Sequence, residues 1–411
     1  MLGRSVTSPE DESQVLLIAS NFPPVVGGSA NVYAQLAREA RGRVRVLAAS
    51  RSYHDDRQLD GWREYDAQQD YPVDRIPLLR TPLQTPQSGW RSSRTWRVAQ
   101  ELLLRWRLLV AVGRILLQNR IRCVCVGELI ANGWLLRPLK YWPGIRTVVY
   151  IHGEELTTED GYDDSGQRRR TFLRAADRVV AVSRFTADVV RTFVDDAARI
   201  AIIGNGVDFR RFSMADPSDT RHRLGWDDCF VFVSVCRLVP KKGLDQALRA
   251  FARLLSVHPE ARYLLVGGGE DEARLRAIAA EESLGRNVEF AGLVSAEQLP
   301  GCYRAGDVFV MPNRRMENGD TEGFGLVFLE ANAAGLPVIA GKDGGSVDAV
   351  TDGDNGLVVD GASVEQIHVA MHRLVLDARL RHRLAENGRR RAQENDWSTK
   401  ARQFLQLCLD R

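Results

Sequence analysis

Short, nearly uninterrupted apolar runs recur along this chain, separated by longer stretches in which apolar positions return every three or four residues. In the first half the runs are 14–20, 43–49, 122–126, 146–151, 178–182 and 200–203; in the second they are 230–235, 262–266, 287–290, 308–311 and 338–340. Runs this short and apolar suit strands covered on both faces, and the helical period between them suits the helices that cover them. Such alternation predicts an α/β fold with parallel sheets. A charged stretch around 216–228 separates the two sets, and 411 residues exceed one ordinary core, so two domains are expected, over 14–208 and 209–395. Ser29 can cap a first helix running to about 41. A second, long helix is expected over 94–119, and an amphipathic one over 397–409 within the tail 396–411. Residues 50–90 are polar and proline-bearing and read as loops around the apolar segment 76–79. Residues 1–13, polar and acidic, read as a disordered leader.

One stretch organises the second half: Glu322-Gly323-Phe324-Gly325-Leu326, continuing to Glu330 and ending at Gly335-Leu336-Pro337. The pattern turns helical at Leu326, and the glycine and proline stop it. A glycine-flanked loop opening onto a helix N-terminus favours an anion, through free backbone N–H groups and the helix dipole. Glu322 stands on the loop and Glu330 about two turns into the helix. That separation is poor for a paired acid and base on one bond, but good for gripping two ends of an extended ligand. If the anion is a diphosphate, one carboxylate can hold sugar hydroxyls and the other a ribose. The ordinary alternative is a surface glutamate before an amphipathic helix, with Glu330 on its wet side.

Other strand ends carry related chemistry. Arg237 to Gly243 puts Arg237, Lys241 and Lys242 on one turn, which can clamp an anion. Gly267-Gly268-Gly269 ends the next strand on the same rim. Gly27-Gly28 follows the first strand and can face a phosphate, although taken alone plain turn chemistry is the better explanation, and no G-x-G-x-x-G supports a nicotinamide site. His152 follows a predicted strand directly, where open α/β sheets bind ligands, and leads into Gly153-Glu154-Glu155.

Composition narrows the partners. The net charge is +3, which gives no general nucleic-acid signature. Locally, though, 90–122 holds Arg91, Arg94, Arg97, Arg105, Arg107, Arg114, Arg120 and Arg122 among Trp90, Trp96 and Trp106, with Glu101 its only acid. Basic side chains with interfacial aromatics suit an anionic bilayer surface, while a solvated basic face on a core-packed helix explains them as well. No apolar run reaches the length of a membrane span, and no signal-peptide core is present, so cytoplasmic residence is expected, possible peripheral attachment included. The six cysteines lack zinc-site spacing and read as buried thiols. His368 and His372 are four apart on a helix, but no third ligand lies near in sequence, so no metal site is expected.

Taken in order, these pieces resemble a retaining glycosyltransferase of family four, with the GT-B fold of two Rossmann-like domains facing each other across a cleft. The matching elements are Gly27-Gly28, His152-Gly153, Asn205-Gly206-Val207-Asp208, Arg237 with Lys242-Gly243, Glu322 with Glu330, and Gly344-Gly345. The stretch from Met311-Pro312 to Gly341 is similar to phosphatidylinositol mannosyltransferases and bacterial polysaccharide or lipid hexosyltransferases, and departs from them at 314–321 and in the loops near 50–75 and 155–170. The resemblance implies that the 396–411 helix crosses back to the first domain. It implies a nucleotide-sugar donor, GDP-mannose or a UDP-hexose such as UDP-glucose or UDP-N-acetylglucosamine, no required cofactor, and a lipid, glycan or small-molecule hydroxyl as acceptor. It assigns Arg237 and Lys242 to the leaving diphosphate, and Glu322 and His152 to the transferred sugar. Glu330 falls to the ribose, Gly323, Phe324, Gly325 and Leu326 to the helix-end anion site, and Gly27 and Gly28 to the phosphate on closure. A nucleotide-sugar epimerase, or a catalytically silent binding module on the same fold, would share many of these features.

Overall fold

The computed structural model describes residues 14–25, 27–82, 94–157, 163, 165–216 and 218–410. The leader, the start of the basic run at 90–93 and much of the acidic loop after Thr157 lie outside these residues.

Two parallel sheets organise the chain. The first has seven strands, β1 (Val15–Ala19), β2 (Val44–Ala49), β3 (Val73–Ile76), β4 (Cys123–Val126), β5 (Arg146–Ile151), β6 (Arg178–Ala181) and β7 (Ile200–Ile202), in the order β3-β2-β1-β4-β5-β6-β7. The second has six, β8 (Val231–Val235), β9 (Arg262–Val266), β10 (Val288–Gly292), β11 (Val308–Met311), β12 (Val338–Gly341) and β13 (Gly356–Val359), in the order β10-β9-β8-β11-β12-β13. Strands β1, β2, β4, β8, β11 and β12 are buried at every position, which is why they read as nearly unbroken apolar runs, interrupted only by the buried Arg45 in β2 and Ser234 in β8. In each sheet the order reverses beside the first strand, between β1 and β4 and between β8 and β11. Doubly wound sheets bind ligands in the crevice that such a reversal opens at the strands' C-terminal ends.

The structure corrects several local expectations. Residues 50–90 are not all loop: they include β3 and the helix Trp62–Ala67. β3 lies at the sheet edge, half-buried throughout, so Asp74 and Arg75 break the apolar signal. β13, Gly-Leu-Val-Val, is too short a run to stand out from the turn before it. Ser29 does not cap the first helix, which spans Gly28–Glu39 with Gly27 at the capping position and no side-chain cap.

The two halves are tied near 207 and 396. The Val207 N–H donates to the Asn395 carbonyl at 3.0 Å, and a Cβ at Gly206 would stand 2.7 Å from the Trp397 ring. The last helix, Trp397–Leu409, packs against Gly28–Glu39 and against β1 and β4. The Arg146 guanidinium donates to the Leu407 carbonyl at 3.1 Å and anchors the helix end.

Candidate active site

The C-terminal ends of β5, β8, β11 and β12 meet between the two sheets. After β5 the chain turns through His152 and Gly153, and Gly153 takes φ +114°, a conformation that disfavours side chains. The turn after β11 lies directly against it: a Cβ at Gly323 would stand 2.0 Å from the His152 carbonyl oxygen. The turn after β12 closes on the same point, since the Gly345 N–H donates to the Glu322 carbonyl at 2.7 Å. A Cβ at Gly345 would stand 1.9 Å from the Gly323 carbonyl oxygen. Turns from both domains therefore touch backbone to backbone at His152 and Gly323, and a side chain at Gly323 would force them apart; one at Gly345 would collide with the Gly323 carbonyl and stand 2.7 Å from Ser183 Oγ.

At this junction the Lys242 ammonium donates to the Glu322 carboxylate, with 13% and 14% of the two side chains exposed. Burial pushes the Glu322 carboxyl up, but the Lys242 charge and hydrogen bond outweigh it and hold the group below the usual carboxylate range. Lys241 turns the other way and is 4% exposed. Its ammonium donates to Glu154 Oε1 at 2.5 Å, to Asp320 Oδ1 at 2.9 Å and to the Thr321 carbonyl at 3.4 Å. Arg237, largely exposed, stands 3.7 Å from the same Glu154 oxygen. Beside them opens a cavity of about 690 Å³ lined by Arg237, Lys241, Gly269, Glu270, Arg314 and Asp320, among others.

The helix Leu326–Ala333 follows Gly325, which takes φ +82° at its N-terminal boundary. Phe324 is buried and covers Gly204, where a Cβ would meet its ring at 3.1 Å. Leu326 is half-buried at the first helical position. Glu330 is buried rather than on a wet face, so the ordinary reading of this helix fails. The Tyr303 hydroxyl donates to Glu330 Oε2 at 2.7 Å, and burial raises the carboxyl's pKa.

The structure thus brings together His152, Lys242, Glu322, Gly323, Phe324 and Gly325, with Arg237 at the rim and Glu330 in the wall behind. Around Gly27 and Gly28 the space is open: a Cβ at either would meet nothing within 4 Å. Sequence reasoning undervalued Lys241, Glu154 and Asp320. Lys241 and Glu154 stood in motifs already singled out, but which of two adjacent lysines turns inward depends on tertiary contacts. His368 and His372 stack at 5.9 Å between ring centroids, and His258 approaches His372 at 5.2 Å. Among the described residues, no group of three or more His, Cys, Asp or Glu is arranged to hold a metal ion.

Two parallel-sheet domains whose strand ends face each other have the GT-B architecture of glycosyltransferases. The family model Glycosyltransferase Family 4 matches residues 26–211, and Glycosyl transferases group 1 matches 218–391. A GDP-mannose-dependent alpha-(1-6)-phosphatidylinositol monomannoside mannosyltransferase of Mycolicibacterium smegmatis is 36% identical over 67% of this chain and 74% of its own length. A GDP-mannose-dependent monoacylated alpha-(1-6)-phosphatidylinositol monomannoside mannosyltransferase of Corynebacterium glutamicum is 28% identical over 94% of each chain. Among solved structures, the sucrose-phosphate synthase of Thermosynechococcus elongatus superposes with a TM-score of 0.75 at 23% identity, covering 96% of this chain and 98% of that one. Anabaena HepE in complex with UDP gives 0.73 at 19%, with the same coverage; at these identities the likeness speaks for the fold alone. The chain belongs to the family-four glycosyltransferases, and it transfers a hexosyl group from a nucleotide sugar.

Proposed function

We propose that the donor is GDP-mannose, and that its mannosyl group passes with retention of configuration to a hydroxyl of a lipid-linked or glycan acceptor. The observation that carries the site assignment is the Lys242–Glu322 pair on the Gly323–Gly325 turn, met by the His152 turn from the opposite domain. The GDP-mannose dependence of the curated relatives favours mannose, with UDP-glucose or UDP-N-acetylglucosamine as the second reading.

In this reading Arg237 and Lys242 neutralise the diphosphate as it leaves, with the N-terminus of helix Leu326–Ala333 supporting the same charge. Glu322 holds hydroxyls of the transferred sugar, and His152 contacts that sugar from the first domain. Glu330 serves the ribose through its carboxylate. Gly27 and Gly28, with open space around them, leave room for a phosphate to approach the backbone. An oxocarbenium-like transition state with a departing diphosphate needs charge fixed in advance more than a protein nucleophile, and a lysine–carboxylate pair held between two domains provides it.

The long helix Arg94–Gln118 supports a place at an anionic membrane surface. Leu108 and Val112 on it are buried in the first domain's core, while Val98, Leu102, Trp106 and Val110 are exposed. Those exposed positions are four residues apart and so form a second, outward apolar stripe, with Arg107 and Arg114 also exposed. Among the described residues no helix is long and apolar enough to cross a membrane.

Mass spectrometry of slow donor hydrolysis tests the donor assignment. Incubated with GDP-mannose, UDP-glucose, UDP-N-acetylglucosamine and ADP-glucose separately, the protein is expected to release mannose and GDP faster than any other pair. Preferential release from a UDP-sugar would move the assignment to that donor.

A further inference from the structure

Tyr33 lies on the first helix, far in sequence from the cleft, and no feature of the sequence marks it. It is fully buried, with its hydroxyl between two groups. One is the Gly127 carbonyl oxygen at the end of β4; the other is His152 Nε2 at 2.8 Å. Gly127 is what lets the phenol in: a Cβ there would stand 2.8 Å from both Tyr33 Cζ and its hydroxyl oxygen. The Tyr33 and Tyr150 rings pack around the imidazole, each centroid 5.2 Å from it.

Proton counting then fixes the histidine. A carbonyl oxygen only accepts, so the single Tyr33 proton is donated to Gly127. The phenol remains protonated, because burial holds its pKa well above the ordinary value. Toward His152 the Tyr33 oxygen can therefore only accept, and Nε2 must carry a hydrogen. Burial lowers the His152 pKa to about 4, so the ring is neutral at physiological pH and the other nitrogen, Nδ1, is bare. Among the described residues Nδ1 has no hydrogen-bonding partner, and it is not one of the side-chain nitrogens sealed from solvent.

We propose that Tyr33 is a positioning residue that, through the Gly127 carbonyl, locks His152 as the Nε2–H tautomer and presents Nδ1 as a fixed acceptor for a hydroxyl of the bound sugar. The inference rests on the reading of His152 as a sugar contact and adds the polarity of that contact. The histidine accepts from the sugar and does not donate to it. With the acceptor removed, either ring nitrogen can take the proton, and a fraction of the population presents an N–H where a lone pair is required.

Long-range ¹H–¹⁵N correlation spectra of the full chain with labelled histidine read the tautomer directly, His152 being assigned by its loss in His152→Gln. The wild type is expected to show protonated Nε2 and bare Nδ1. Tyr33→Phe should give a mixed tautomer and a kcat lowered on the order of tenfold, with donor KM changed less than about twofold. Gly127→Ala keeps the phenol but drives its hydroxyl away, and should shift the tautomer in the same way, which covers the case in which Tyr33→Phe folds poorly. A wild type protonated on Nδ1, or Tyr33→Phe and Gly127→Ala proteins with unchanged tautomer and kcat, would overturn the proposal. If instead His152→Gln turns over at the wild-type rate while the tautomer is as stated, the sugar contact itself is wrong and the lock has no catalytic role.

Discussion

Lys241 and Lys242 are neighbours in the chain, yet they serve different partners: one is drawn to Glu154 and Asp320, the other to Glu322. Residue identity was legible from the sequence at this turn, because cations cluster at the end of a strand; the direction of each side chain was not. Glu155 shows the same limit. It follows Glu154 directly, but its carboxylate folds back to accept from the His152 and Gly153 N–H groups at 3.2 and 2.9 Å. Burial still pushes its pKa up, from 4.5 to about 7. Below pH 4.5 both folded and unfolded chains carry this proton; between 4.5 and 7 the folded chain alone keeps it, so its contribution to stability is lost as pH rises. His152 contributes stability that is lost in the other direction, as pH falls from 6.5 toward 4. Glu155→Gln removes the first contribution only. Urea unfolding free energies at pH 5 and pH 8 should show the variant gaining on the wild type by about 2–3 kcal/mol between the two conditions. Parallel shifts would mean that Glu155 titrates normally.

Among the elements, those buried on both faces were the readable ones. β1, β4, β8 and β12 announce themselves as apolar runs, whereas β3 carries Asp74 and Arg75 on an edge and reads as loop in the sequence. The helix Arg94–Gln118 was found, but not its exposed stripe, because leucines facing the core and leucines facing out look alike in sequence. The stripe gives a membrane test with a clear sign. Leu102→Glu combined with Trp106→Glu removes apolar contact at positions already exposed, so the fold should be kept. Sedimentation with vesicles containing anionic lipid should bring down the wild type and leave this variant largely in solution. The variant should keep its rate of donor hydrolysis in the absence of vesicles. Equal sedimentation of the two proteins would remove the bilayer surface from the picture.

On the scale of the whole molecule, the strand order implied two parallel sheets, and the resemblance carried by the motifs implied that they face each other. What the sequence could not show was how closely the facing turns approach. Gly323, Gly345 and the His152 carbonyl leave no space for a Cβ, so the Lys242–Glu322 pair lies where the two domains meet. That position is also why its removal should matter twice, for donor binding and for the transition state. Breaking a largely buried pair leaves one charge uncompensated, so thermal melts must accompany the kinetics. The decisive measurement is turnover of GDP-mannose by the wild type, Lys242→Ala and Glu322→Gln, followed by mass spectrometry with folding checked on the same samples. Folded variants slowed by at least about tenfold, or about 1.4 kcal/mol of barrier, are the expected result. Two folded variants that turn over GDP-mannose as fast as the wild type would contradict the placement of the reaction at this junction.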